Sequence, residues 1–216
     1  KMSTLIIHVI YAIIINKIET PYYYNPNIHN FGNNGMGGYV HARLAPIARR
    51  VIDISRYNGE NIRELILAPY AQANMSQLDL CCGIGDSTME NCVGIDTSDE
   101  MLNMARRLYS DKQFYRDNAE HVNFNNKKFN IVTSMFALHE IPYSARNNII
   151  ENAKFNAEHE IIIVDISSSY TPSKMMLSGE PYLLEYLSNI DEQMKKHNFV
   201  KTNYIDKHVD IWRLTI

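Results

Sequence analysis

Apolar residues along this chain fall into two alternating rhythms. Short continuous runs suited to buried strands are separated by stretches in which apolar positions return every three or four residues. The first clear run is Leu78-Asp79-Leu80-Cys81-Cys82, which leads straight into a glycine turn at Gly83 and Gly85. Val93-Gly94-Ile95-Asp96 follows within a dozen residues and ends on an acid. Gln113-Phe114-Tyr115 is a weaker run, Phe129 to Met135 reads as a buried strand, and 160–166 is the strongest central strand. Residues 199–205 and 209–216 read as a closing antiparallel pair. The helical rhythm predicts helices over 46–54, 61–73 (kinked or interrupted at Pro69), 99–108 (capped by Ser98 or Asp99), 143–157 and 182–196. Only one or two helical turns fit between Gly85 and the second strand. Residues 20–46, with four glycines in seven positions flanked by asparagine, predict no regular element. Strands alternating with helices in this way make an α/β protein: a doubly wound, mostly parallel sheet with the site at the carboxyl ends of its strands.

The first two strands carry the candidate chemistry. Glycine at 83 and 85 lets the backbone bend sharply and lets a ligand approach the main chain. Asp96, at the tip of the neighbouring strand, can accept hydrogen bonds from both hydroxyls of a ribose, so the pattern points to an adenosine-containing cofactor. A dinucleotide fingerprint requires a third glycine where Thr88 stands, and an acid about 20 residues further on. Here the acid comes eleven residues after Gly85, which disfavours a nicotinamide-dependent oxidoreductase.

Four blocks occur in order: LDLCCGIG from Leu78, VGIDTSDEMLNMAR from Val93, DNAEHVNF from Asp117 and FNIVTSMFALHEIP from Phe129. On these blocks, covering roughly 76–166, the chain resembles the class I S-adenosylmethionine-dependent methyltransferases, particularly the small-molecule branch. The resemblance implies a seven-stranded sheet whose antiparallel last strand closes it, and S-adenosylmethionine as cofactor. It implies that the Gly83–Gly85 turn faces the methionine part, that Asp96 holds the ribose, and that Thr97 and Met101 lie near the adenine. Asn118 and Ala119 would meet the adenine edge, and Phe136 would begin the segment under the sulfonium. Asn118 stands where the family usually carries an acid, and the helix after Gly85 is shorter than usual, so another element must shield that face. A noncatalytic S-adenosylmethionine-binding module or partner subunit is the alternative function.

The remaining candidates lie in the walls that would close over the cofactor. Residues 1–75 are expected to form a helical and aromatic lid region packed on a core of 76–216, within one structural domain. In that region Tyr24 and Tyr39 are expected to touch the cofactor and His41 the substrate, with His29 and Asn30 as further polar groups. Met175 and Tyr182, in the irregular segment after the fifth strand, are expected to line the acceptor pocket, where Glu180 can orient a polar group. His139 is the candidate general base and Glu140 its companion, since an unperturbed imidazole titrates near neutrality. His29, His41, His139 and Glu140 lack the close spacing of a metal motif, so no metal is expected.

Composition narrows the rest. The chain has 216 residues, of which 45% are hydrophobic and 21% charged, enough for one globular core. A net charge of -3 with only isolated lysine doublets disfavours a nucleic-acid partner and leaves a small-molecule acceptor. Three cysteines form no disulfide framework, and Cys81 and Cys82, adjacent on a strand, would face opposite ways; a reducing, cytoplasmic setting is expected. The apolar stretch 5–18 is too short to span a membrane and is expected to be a buried element, helix or strand.

Overall fold

A computed structural model describes residues 20–216; the apolar stretch at 5–18 lies outside the described residues. Its centre is a seven-stranded sheet in the order β3-β2-β1-β4-β5-β7-β6. The strands are β1 (Gln77–Leu80), β2 (Val93–Asp96), β3 (Gln113–Arg116), β4 (Phe129–Met135), β5 (Ala157–Ile166), β6 (Val200–Ile205) and β7 (Val209–Thr215). β1 to β5 pair in parallel, while β7 runs antiparallel to both β5 and β6. The winding direction reverses between β1 and β4, and that switch point is where an open α/β sheet parts to admit a ligand.

The apolar runs are continuous because the inner strands are covered on both faces. In β5, Ile161 and Ile163 join Leu78, Leu80 and Val132 against α4 (Tyr143–Asn156) and α6 (Leu183–Lys196). Ile162 and Val164 point the other way and join Ile131 against Ile62, Ile66 and Leu67 of α2 (Ile62–Gln72). α3 (Asp99–Leu108) covers β2 and β3 through Leu102 and Ala105 on Phe114, with Cys82. Its cap is Ser98, whose Oγ accepts from Met101 N at 3.2 Å. Among the described residues no helix is long and apolar enough to cross a membrane.

Three elements depart from the sequence reading. The predicted irregular stretch 20–46 and the helix at 46–54 are replaced by one long helix, α1 (Gly35–Arg56), preceded by two short 3-10 turns. Gly37 and Gly38 serve close approach: a Cβ would stand 1.6 Å from the Phe31 carbonyl oxygen and 2.4 Å from that of Asn33. Pro46 lies inside this helix and does not end it. The segment after β5, read as irregular, contains the short helix α5 (Lys174–Gly179), capped by Ser173 Oγ accepting from Met176 N.

The third departure matters most. No helix follows Gly85; residues 81–92 form turns. They are held by side chains instead of a helical ladder. Asp79, fully buried in β1, accepts from Ser87 Oγ and Thr88 Oγ1 of the loop, both at 2.8 Å, and from Thr133 Oγ1 of β4 at 2.7 Å. Gln77 donates to the Ser87 carbonyl at 2.8 Å and accepts from Met89 N at 2.6 Å. The strand stops at Leu80, so Cys81 leaves it with φ 58° and the expected opposed pair of strand cysteines does not form. α1 supplies the missing cover by packing Ala42 onto Ile84 and Met101, with Gly35 N donating to Glu100 Oε1 at 2.8 Å.

Candidate active site

A cavity of about 720 Å³ opens where β1, β2, β4 and β5 end. That volume lies within the range of ordinary small-molecule sites. α1 and the turns before it form one wall, and the segment after β5 forms another.

At the β1–β2 end the cavity meets Gly83, Asp96, Thr97 and Met101. Gly83 has φ +53°, and a Cβ built on it meets nothing within 4 Å, so its main chain borders open space. Asp96 Oδ2 accepts from Gly83 N and Oδ1 from Ser98 N, each at 2.9 Å. Each carboxylate oxygen keeps a further lone-pair direction for a ligand hydroxyl. Burial pushes the Asp96 carboxyl up to about 6, with the Ser98 and Gly83 amides pulling the other way. Asn118 and Ala119 also line this end, but the Asn118 carbonyl already accepts from Glu120 N at 2.9 Å. A carboxylate is present one residue earlier: Asp117 lines the cavity.

Four expected contact residues stand away from this wall. Gly85 faces the core, where a Cβ would come within 2.5 Å of Phe114 Cζ. Tyr24 is half exposed and its Oη accepts from Arg116 Nη2 at 3.2 Å; in its place Tyr22 and Tyr23 line the cavity. Side chains one residue apart in a 3-10 turn point about 120° apart, so such a triplet cannot all face inward. Tyr39 is turned outward under the Arg43 guanidinium, 4.5 Å from its ring centroid, because Gly38 and Ala42 take the packed face of α1. Tyr182 packs edge-on against Tyr22 at 6.4 Å instead of lining the cavity.

Beyond β4, Phe136 has φ 58° and donates its N–H to the Val164 carbonyl at 2.7 Å. Arg63 of α2 lies over its ring at 4.4 Å, and burial disfavours that guanidinium's charge. Arg49 of α1 reaches across to Asp86 at 3.0 Å, which also accepts from Tyr109 Oη at 2.5 Å. Sequence reasoning missed this cationic side, because arginines on helices read as solvated surface.

The opposite end gathers histidines and carboxylates. His139, in the turn Leu138–Glu140, sets Nδ1 2.6 Å from Asp165 Oδ1 and donates its backbone N–H to Asp165 Oδ2 at 3.2 Å. Asp165 is fully buried in β5 and was not singled out, although it closes an apolar run as Asp96 does. His139 Nε2 lies 3.8 Å from Glu140 Oε1. His29 bridges two carboxylates, with Nε2 2.8 Å from Glu140 Oε1 and Nδ1 2.8 Å from Glu180 Oε1. His41 lines the cavity beside it at 4.0 Å between ring centroids and is hydrogen-bonded to Asn33 Oδ1 at 2.9 Å. Met175 reaches the cavity from α5.

The electrostatics follow from this arrangement. Burial opposes charge on His29, but Glu140 and Glu180 outweigh it and raise the ring to about 10. Burial likewise opposes charge on His139, and Asp165 with Glu140 raises it to about 9. His41 is pushed down to about 4 by burial and by the His29 charge. Glu140 feels burial, yet His29 and His139 hold it at about 2. Asp165 and Glu140 thus favour the protonated form of the His139 ring.

Residues 78–156 match the family model described as a methyltransferase domain. Over that stretch the chain is similar to methyltransferase domains. Demethylmenaquinone methyltransferases of Lactiplantibacillus plantarum and Lactobacillus johnsonii are 33% identical over 89 residues and 32% identical over 80. Those stretches cover 34% and 30% of this chain and 38% and 33% of the relatives, so the chain spans well under half of either enzyme. An S-adenosylmethionine-dependent methyltransferase from Clostridium acetobutylicum superposes with a TM-score of 0.58 at 12% identity, over 82% of this chain and 99% of that one. Magnesium protoporphyrin IX methyltransferase from Synechocystis, solved with bound S-adenosylmethionine, gives 0.51 at 14% identity over 71% and 77%. At these identities the structures speak for the fold.

Proposed function

We propose that the cavity binds S-adenosylmethionine and that the protein transfers a methyl group to a small-molecule acceptor. The observation that carries this reading is the Asp96 carboxylate, fixed by two backbone donors beside the open main chain of Gly83. When bound, the cofactor supplies a methyl group on a positively charged sulfur.

The chain's own residues position, shield and handle protons. Asp96 would take the ribose hydroxyls, with Met101 and Thr97 against the base and Ala119 at its edge. Asn118 would contribute there only by the capacity that its bond to Glu120 leaves. Residues 20–75 would act as the lid, with Tyr22, Tyr23 and α1 keeping water from the reacting atoms. In-line displacement depends mainly on such positioning. His139, oriented by Asp165, and Glu140 would manage the acceptor proton. Met175 and His41 would help to shape the acceptor pocket.

The matched relatives are demethylmenaquinone methyltransferases by name, but the matches cover only 34% and 30% of this chain and do not carry that acceptor over to it. A nucleic-acid acceptor is disfavoured by the net charge of -3 without a basic track. Three free cysteines suit a reducing compartment such as the cytoplasm. Calorimetry with S-adenosylhomocysteine, followed by methyl-transfer assays over hydroxyl, amine and thiol acceptors, tests the reading. No binding of the nucleoside would sink it, and binding without transfer to any acceptor would favour the noncatalytic module.

A further inference from the structure

His29, Glu140 and Glu180 come from three separate segments: the turn before α1, the turn after β4 and the end of α5. Each offers one ligand atom, and these atoms lie within 4.8 Å of one another. The donor count does not match the acceptors. His29 provides one N–H to each carboxylate, yet Glu180 Oε2 is buried with no hydrogen-bond partner among the described residues, on a side chain only 8% exposed. Among the described residues Glu140 Oε2 has only the Asn33 amide, at 3.5 Å. A buried carboxylate oxygen without a donor is costly unless a cation, a proton or an ordered water completes it.

His139 adds an independent sign. Its Nδ1 is tied to the buried Asp165 carboxylate, which leaves Nε2 directed at Glu140. A carboxylate holding the far nitrogen of an imidazole is the arrangement that orients histidine ligands. We infer that His29, Glu140 and Glu180, with His139 beside them, form a binding site for a divalent transition-metal ion. Mixed imidazole and carboxylate donors favour ions of the zinc type over magnesium or calcium. Ligand atoms about 2.0–2.2 Å from a tetrahedral ion stand roughly 3.3–3.6 Å apart. Glu140 and Glu180 contact opposite ring nitrogens of His29, each at 2.8 Å, so one ring nitrogen would give up its proton and coordinate while the carboxylate on the other side swings towards the ion.

The site rests on this geometry alone and not on methyl transfer. If the proposed function holds, an ion here would bind and acidify a hydroxyl acceptor, which would assign the acceptor to the oxygen nucleophiles.

The test is calorimetric titration of Zn²⁺ into the whole purified protein after chelator treatment, alongside Glu180→Gln and His29→Asn, with Ca²⁺ as the control ion. His121→Ala, an exposed histidine outside the cavity, controls for adventitious imidazole binding. The expected result is one saturable Zn²⁺ site per chain, weakened about 100-fold in E180Q and H29N and unchanged in H121A. Thermal melting of each variant shows that it is folded, and S-adenosylhomocysteine titrated into the same samples reports separately on the cofactor reading. Absence of saturable Zn²⁺ binding by the folded wild type would overturn the site, as would E180Q and H29N that bind like wild type. Equal affinity for Ca²⁺ would do the same.

Discussion

Replacing Asp96 by alanine removes both oxygens that the proposed ribose contacts require while leaving the sheet intact. In the structure each oxygen is already bonded to one backbone amide at 2.9 Å, so the carboxylate is fixed before any ligand arrives and little ordering is needed on binding. Two hydrogen bonds from hydroxyls to a charged acceptor contribute about 1.5–3 kcal/mol each. Water entering the gap recovers part of that, leaving a net loss of about 3 kcal/mol, roughly 100-fold in affinity. The same carboxyl is pushed up to about 6 by burial, which adds a second signature. The ionised form binds, so affinity is full above about pH 6 and falls by up to tenfold per unit as pH drops below it. Calorimetry with S-adenosylhomocysteine from about pH 5 to about pH 8 reads both effects, and Asp96→Asn should flatten the profile. Melting of the ligand-free variants checks that the Gly83 turn survives loss of its acceptor. An affinity within about threefold of wild type in a folded D96A protein would refute the assignment of this carboxylate to the nucleoside.

Other perturbations separate chemistry from scaffold. His139→Asn should lower turnover by about 100-fold while leaving S-adenosylhomocysteine affinity within about threefold; equal losses in both would make His139 structural. Asp79→Ala leaves three buried hydroxyls without their acceptor, and at about 1–3 kcal/mol each the unfolding free energy in urea should fall by about 3 kcal/mol or more. A change below about 1 kcal/mol would mean that the loop is held some other way. Gly85→Ala places a β-carbon at φ +85° and 2.5 Å from Phe114 Cζ, so a loss of about 2–4 kcal/mol is expected in the same measurement. An unchanged midpoint would contradict the packing described there.

The parts of the fold that were legible in the sequence are those where local pattern and burial agree. β4 and residues 161–166 of β5 are buried under both helical layers, which favours near-continuous apolar runs, whereas β6 is an exposed edge strand. α3 is legible because Ser98 caps it and its apolar positions recur on one face. α1 was hidden because glycines at 35, 37 and 38 read as turn formers, while the structure uses 37 and 38 to bring backbone against backbone. The loop after β1 was hidden because its support is tertiary. The only trace was two polar residues, Gln77 and Asp79, inside a buried strand. At the site, Gly83 and Asp96 were legible since strand ends and turn chemistry are local. The His29–Glu140–Glu180 group was not, because its members sit on turns far apart in the chain and meet only through the packing of the lid on the core.

Asp79 shows a consequence of replacing a helix by a side-chain clasp. One carboxyl group stitches β1 to β4 and, through two hydroxyls, sets how high the following turn stands. A helix can fray one residue at a time, whereas this fastening opens or stays shut as a unit. Cohesion of the sheet and the shape offered to the nucleoside thus hang from the same pin, so a change that relaxes one relaxes the other.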